Sequence, residues 1–256
     1  QIHYKKHIIL ASVPSRAMEK PSEEIVRLLI NKLEAASQLP KRGRAYKNTH
    51  QVFNSDHKVT SWKFNEWDYG KSNLTLPSNA RGLFITEDEQ NPEVVVRGYD
   101  KFFNIDEVST TRWDWIESNT MGPYEVTVKE NGCIIFISGL KDGTIVVCSK
   151  HSTGLREGAD KNHALAGENF LRKQLEASGQ TLNQLALELY RMNATAVAEY
   201  CDDSFEEHIL EYTKEKAGLY LHGINFNQPD FQTMPMSEVH RFATEYNFKK
   251  IDFFTK

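Results

Sequence analysis

Apolar and polar residues alternate with several different periods along the chain, and the changes of period mark its elements. Over residues 22–33, Ile25, Leu28, Leu29 and Leu33 recur at helical spacing. Ser22 stands where a hydroxyl can cap a first turn, and Glu23 and Glu24 follow where acids favour the positive end of the helix dipole. A helix is predicted there, with Pro40 ending it or following its end. Residues 59–138 read mostly as strands and turns. Leu83-Phe84-Ile85 and Val94-Val95-Val96 flank an acidic turn and predict a hairpin. Residues 124–129 alternate with period two, Asn131-Gly132 is a tight-turn dipeptide, and residues 133–138 form an apolar run, so a second hairpin is expected around Asn131-Gly132. A turn at 141–144 returns the chain as a strand over 145–150. Helices are predicted over 161–178 and 181–192, strands over 195–200 and 218–224, and a helix over 237–246 with Ser237 as its cap.

Tight turns between successive strands favour antiparallel sheet with packed helices, an α+β fold. No Gly-rich strand-to-helix loop supports a Rossmann domain or a P-loop. No 18-residue apolar run is long enough to span a bilayer.

Composition narrows the function. The 256 residues carry 31 basic and 35 acidic side chains, a net charge of −4, and the pI is near 6.2. Coating of nucleic acid by bulk positive charge is excluded, whereas a local basic groove is not. Cys133, Cys148 and Cys201 are odd in number and far apart, with no disulfide framework and no paired-cysteine metal knuckle. A reducing compartment, nucleus or cytoplasm, is the expectation. The chain begins with Gln1, not Met; the apolar run 8–13 is too short for a signal-peptide core, and residues 1–20 are expected to be a leader outside the folded domain at 21–256.

The segment richest in chemistry is Lys129-Glu130-Asn131-Gly132. A lysine at a strand end is either a surface charge or a nucleophile. An amine of pKa ~10.4 is a poor nucleophile at neutral pH until burial or a nearby cation lowers that value. Attack by such a lysine on the α-phosphorus of a nucleotide gives a phosphoramidate and releases pyrophosphate. That step needs rigid placement, cations on the phosphates and an acceptor for the ribose. Ser149-Lys150-His151-Ser152-Thr153-Gly154 offers a cation and hydroxyls, or is a polar loop. Glu199, between apolar neighbours, is either a buried carboxylate awaiting a hydroxyl or an edge acid facing water. Arg81 precedes a strand and either reaches phosphate or lies on the surface.

Together these residues resemble the covalent nucleotidyltransferase superfamily of polynucleotide ligases and RNA-capping enzymes, whose first motif is Lys-x-(Asp or Asn)-Gly. Longer runs at 61–70, 79–85, 97–104, 131–140, 148–154 and 196–212 resemble the fungal tRNA ligase family, over residues from about 23 to the C-terminus. The resemblance implies the ligase adenylation fold and an N-terminal, ATP-dependent RNA ligase domain that joins tRNA exon halves, and a spliced stress-response messenger RNA, with ATP and Mg2+. It implies that Lys129 takes AMP, that Asn131 and Gly132 complete its motif, that Lys150 lies in the segment matching motif Ia of the nucleotide site, and that Arg81 contacts ATP phosphate. It also implies that Glu199 contacts the ribose, and that the segment of Tyr220 and His222 packs against the base. The family's fourth motif, a glutamate in an apolar strand, and its fifth, Lys-x-Lys, are not found; Lys249-Lys250 is adjacent rather than alternate. A fragment of a longer ligase is therefore expected, and a non-catalytic RNA-binding remnant is the alternative.

Lys41, Arg42, Arg44 and Lys47, with Tyr46 among them, are either RNA contacts or a solvated connector. Trp62, Trp67, Trp113 and Trp115 are expected in the core or as its cover. Cys201, Asp202, Asp203 and His208 match no zinc spacing, so no metal ligands are assigned. His151 and His163 flank Arg156 and Lys161 in a loop that either faces phosphate or is polar surface.

Overall fold

A computed structural model describes residues 17–156, 158, 161–207 and 209–256. Four layers stack. Helix α1 (Glu23–Ser37) covers one face of a four-stranded antiparallel sheet, β1 (Tyr46–Gln51), β2 (Lys58–Lys63), β3 (Leu83–Thr86) and β4 (Val94–Arg97), in that order. The opposite face packs on a second sheet built from β6 (Cys133–Gly139), β7 (Ile145–Cys148), β8 (Ala194–Cys201), β9 (Gly218–Phe226) and β10 (Lys249–Lys250). Its order is β10-β9-β8-β6-β7, antiparallel except for the parallel β10–β9 pair. Helices α3 (His163–Ala177), α4 (Leu182–Met192) and α5 (Met236–Glu245) cover the outer face. The α+β expectation holds.

Strand alternation sorts the cores. Leu83 and Ile85 point to α1, while Phe84 between them meets Phe136, Val146 and Val197 in the seam between sheets. Ile135, Ile137, Ala196 and Ala198 turn the other way, under the three helices. A polar clasp crosses the seam: Asn225 and Asn227 donate to the carbonyls of Arg97 and Val95, and Thr195 Oγ1 donates to Asn227.

Several expectations are corrected. Helix α1 begins as read, with Ser22 Oγ accepting the Ile25 N–H, but Val26, Leu29, Leu33 and Ala36 are buried and Ile25 and Leu28 are exposed. The sheet's Trp62, Phe64 and Leu83 meet the helix one residue around from the predicted stripe. Ser237 lies inside α5; the cap is the Glu125 carboxylate, which accepts the Met236 N–H at 3.0 and 3.1 Å. Helix α2 (Trp113–Asn119) interrupts the region read as strands. Trp62 is buried, but Trp67, Trp113 and Trp115 are exposed.

The Asn131-Gly132 hairpin does not form. Strand β5 (Glu125–Thr127) pairs instead with β11 (Phe253–Thr255) in a separate ribbon, and β6 pairs with β7 and β8. Residues 128–132 therefore cross from one sheet to another. Residues 1–16, the greater part of the expected leader, lie outside the described residues, while residues 18–20 are docked: the Met18 N–H donates to Met192 and Lys20 pairs with Glu93 at 2.8 Å. Among the described residues no helix is long and apolar enough to cross a membrane.

Candidate active site

The crossing segment is pinned residue by residue. Val128 donates its N–H to Asp252 at 2.9 Å. The Tyr212 hydroxyl accepts the Asn131 N–H at 2.9 Å and donates to Glu130 Oε2 at 2.6 Å. Burial, and beyond it the Glu130 carboxylate, push the Tyr212 phenol well above its usual range, so it remains a donor. The Gly132 N–H donates to Glu199 Oε1 at 3.1 Å. Gly132 also needs its missing side chain: a Cβ there would lie 2.3 Å from the Tyr200 carbonyl oxygen.

This pinning presents Lys129 at the rim of a cavity of about 690 Å³. Arg81, Gly132, Lys150, Glu199 and His222 share its wall, together with Tyr99, Phe102, Phe231 and Met234. Six of the eight residues expected to act on the nucleotide thus meet at one place. Asn131 serves through its backbone, and Tyr220 does not line the cavity: its ring meets that of Tyr212 at 5.9 Å and its hydroxyl donates to the Lys216 carbonyl at 2.7 Å. The expectation that Lys129 is desolvated is corrected: it is exposed, and its Nζ donates to the Glu130 carbonyl at 3.0 Å.

His222 owes its position to a β-bulge. Val197 pairs with Gly223 and Ala198 with Leu221, leaving His222 as the extra residue. Its Nδ1 lies 3.0 Å from the Tyr99 hydroxyl, on whose ring it stacks at 5.6 Å, and its buried Nε2, 3.7 Å from Glu199 Oε2, has no hydrogen-bond partner among the described residues. A Cβ at Gly223 would fall 1.9 Å from the Tyr99 hydroxyl, so this glycine makes the stack possible.

The two cations of the wall converge on one carboxylate. Lys150 Nζ donates to Glu66 Oε1 at 2.5 Å and Arg81 Nη2 donates to the same oxygen at 2.9 Å. Burial raises the Glu66 pKa, but the two cations outweigh it and leave the carboxyl below its ordinary value. Glu66 opens a 3-10 turn capped by Asn65, whose side chain accepts the Trp67 N–H. Lys150 projects from a turn locked by the Ser149–Ser152 hydroxyl pair at 2.8 Å and by Thr153, whose hydroxyl donates to Val147. Next to it, burial first and neighbouring cations second push the His151 imidazole down to about 4.

The sequence reading assigned no role to Glu66, Tyr99 or Tyr212, although all three fall in the quoted runs. A lone acid in an aromatic-rich stretch and two tyrosines bear no spacing that marks them. Of the basic stretch, none lines the cavity. Lys47 pairs with Glu34 at 2.5 Å, Arg42 bonds Asn73, the Arg44 guanidinium lies 5.5 Å from the Tyr46 ring, and Lys41 is exposed. His208 lies outside the described residues.

The crossing between the two sheets thus carries a lysine, faced by two cations and a pinned carboxylate. The family model for RNA ligase matches residues 79–256, and the chain belongs to that family. It is 49% identical over 252 residues to the tRNA ligase of Candida albicans, covering 92% of this chain and 30% of that protein. It is 50% identical over 222 residues to tRNA ligase 1 of Schizosaccharomyces pombe, covering 80% and 28%. The chain thus spans less than a third of the length of these curated relatives. Among solved structures, an archaeal ATP-dependent RNA ligase shares the fold, with a TM-score of 0.52 at 13% identity over 91% of this chain and 53% of that one.

Proposed function

We propose that this chain is the adenylyltransferase part of an ATP-dependent RNA ligase of tRNA splicing, with Lys129 as its nucleophile. The observation that carries the reading is the convergence of Lys129, Arg81, Lys150, Glu199 and His222 on one cavity, of a size that suits a nucleotide. Deprotonated Lys129 Nζ attacks the α-phosphorus of ATP. An N–P bond forms, the bond to the bridging oxygen breaks, and pyrophosphate leaves. The RNA 5′-phosphate then takes AMP from the lysine, and the 3′-hydroxyl of the other exon, beside its 2′-phosphate, displaces AMP. Arg81 and Lys150 exchange the Glu66 carboxylate for phosphate oxygens. Glu199, already accepting the Gly132 N–H, has its second oxygen for the ribose. The Tyr99–His222 stack and Phe231 supply a flat apolar wall suited to adenine.

Magnesium fits the donor set. Glu130, whose Oε2 accepts the Tyr212 hydroxyl, brings its other, hard carboxylate oxygen to the cavity wall, the ligand type this ion takes alongside phosphate. It would hold the ion, which would neutralise phosphate charge. The substrates on this reading are tRNA exon halves and a spliced stress-response messenger RNA, with Lys41, Arg42, Arg44 and Lys47 as contacts to the RNA backbone. The odd number and wide spacing of the cysteines suit a reducing compartment, nucleus or cytoplasm.

The test is intact-mass spectrometry after incubation with ATP and magnesium, with GTP in parallel. One AMP added to the protein and absent from Lys129→Ala is expected. Label that persists in Lys129→Ala, or a preference for GTP, refutes the reading; RNA binding without an adduct marks a non-catalytic remnant.

A further inference from the structure

Behind the crossing segment, on the helix-covered side of the second sheet, three metal-ligating side chains from three separate segments meet. Cys133 is the first residue of β6, His163 the first of α3, and Glu206 lies in the loop after β8. Cys133 Sγ is 3.1 Å from Glu206 Oε2, and His163 Nε2 is 3.1 Å from the same oxygen. All three ligand atoms lie within 4.8 Å of one another. A zinc ion about 2.0–2.3 Å from each of a sulfur, a nitrogen and an oxygen, with tetrahedral angles, holds such atoms about 3.3–3.6 Å apart. The two separations from Glu206 Oε2 fall a few tenths of an ångström short of that, and the sulfur and nitrogen lie within 4.8 Å of each other.

We propose that Cys133, His163 and Glu206 form a binding site for a soft divalent cation, zinc, with water as its fourth ligand. A thiolate and an imidazole select zinc over magnesium or calcium. All three residues are half-buried, so an ion and its water have a way in. Binding replaces a proton: the Cys133 thiol, which donates to Glu206 without metal, becomes a thiolate, the S–H bond giving way to an S–Zn bond as the proton leaves to solvent. Lys161 opposes the ion through its charge, but its Nζ is 3.8 Å from the other oxygen, Oε1, and its side chain is largely exposed and free to swing away. His163 is steadied by the edge of Phe205, with ring centroids 5.3 Å apart. The bound ion would tie β6, α3 and the 202–207 loop together, one residue from Gly132. None of this depends on ligase activity.

Cobalt(II) and zinc(II) added to the purified chain provide the test. One equivalent of cobalt is expected to give a thiolate-to-cobalt charge-transfer band and intense tetrahedral ligand-field bands, displaced by zinc. Cys133→Ser and His163→Gln are each expected to weaken binding at least ~10-fold, in line with the loss of one ligand or its support, while circular dichroism shows the fold intact. Zinc is also expected to raise the denaturation midpoint of the wild-type chain alone. Absence of a thiolate band, or its survival in Cys133→Ser, overturns the proposal. Should Cys133→Ser fail to fold, His163→Gln and Glu206→Gln carry the test, and unchanged affinity in both is equally decisive against it.

Discussion

Gly132→Ala tests how the segment that carries Lys129 is held. The glycine is not there for an unusual backbone conformation but for a close approach, since its absent Cβ points at the backbone of β8. The added carbon would meet the Tyr200 carbonyl oxygen at 2.3 Å and Cys201 Sγ at 2.7 Å, where ordinary contact begins at 3.4 Å. Neither neighbour yields easily: Tyr200 and Cys201 are paired to β9 on their far side, and Cys201 is fully buried. The start of β6 must move off β8 by about 1 Å, a shift that costs on the order of 100-fold in a positioned reaction. Overpacking of this kind costs about 1–3 kcal/mol of stability, or about 2–4 °C in Tm for each kcal/mol. The same shift stretches the 3.1 Å bond from Gly132 to Glu199, so placement suffers beyond stability. The assay is the rate of AMP-adduct formation by intact mass, with Tm measured alongside. Tyr212→Phe supplies a clash-free companion, because it removes both the acceptor for Asn131 and the donor to Glu130. A Gly132→Ala variant with wild-type Tm and adduct rate would show that the segment is not held by β8, and the account of Lys129 placement would fall with it.

Three further outcomes are expected. Arg97→Met removes a guanidinium that is 1% exposed and donates to Asp100, Gly98, Gln228 and Pro229; leaving those acceptors unpaired costs about 3–5 kcal/mol, read from urea unfolding, and a loss under ~1 kcal/mol would contradict it. His151, held down to about 4 by burial, takes up its proton less readily folded than unfolded, so it drains stability as pH falls from the ordinary imidazole value of 6.5 towards 4 and adds no further loss below. His151→Gln should flatten the denaturant midpoint across that window, and parallel curves for the two proteins would refute the assignment. Glu66→Gln frees Arg81 and Lys150 and should tighten binding of an ATP analogue that cannot be cleaved at the α-phosphorus by about two- to five-fold, since partly exposed ion pairs are worth up to ~1 kcal/mol; calorimetry showing weaker binding would mean that Glu66 positions those cations rather than occupying them.

What the sequence made legible follows the range of each interaction. Helix starts and buried strands are local, so α1, α4 and β6 to β9 appear in the hydropathy pattern within a few residues of their true bounds. The cap of α5 does not, because it comes from Glu125, 111 residues away. The Asn131-Gly132 hairpin was misread for the same reason: the turn dipeptide is there, but the strands on either side find their partners at Phe253 and Tyr200, which no local pattern announces. The site residues were visible only through motif resemblance. Tyr212 and Glu66, which hold the loop and the cations, have effects that exist solely in three dimensions.

The exposure of Lys129 changes how its reactivity is to be understood. Of the two means of activation, burial and a nearby cation, burial does not apply: the amine stands at an open rim, bonded to a carbonyl of its own loop. What the fold fixes is the backbone beneath it, through Tyr212 and Glu199, and a pair of cations across the cavity, neutralised for the present by Glu66. On the proposed reading, the triphosphate itself completes the site: its oxygens draw Arg81 and Lys150 off the carboxylate, and its bulk excludes water from the rim where the amine waits. Activation on that reading belongs to the complex with nucleotide, and the exposure of Lys129 is compatible with it.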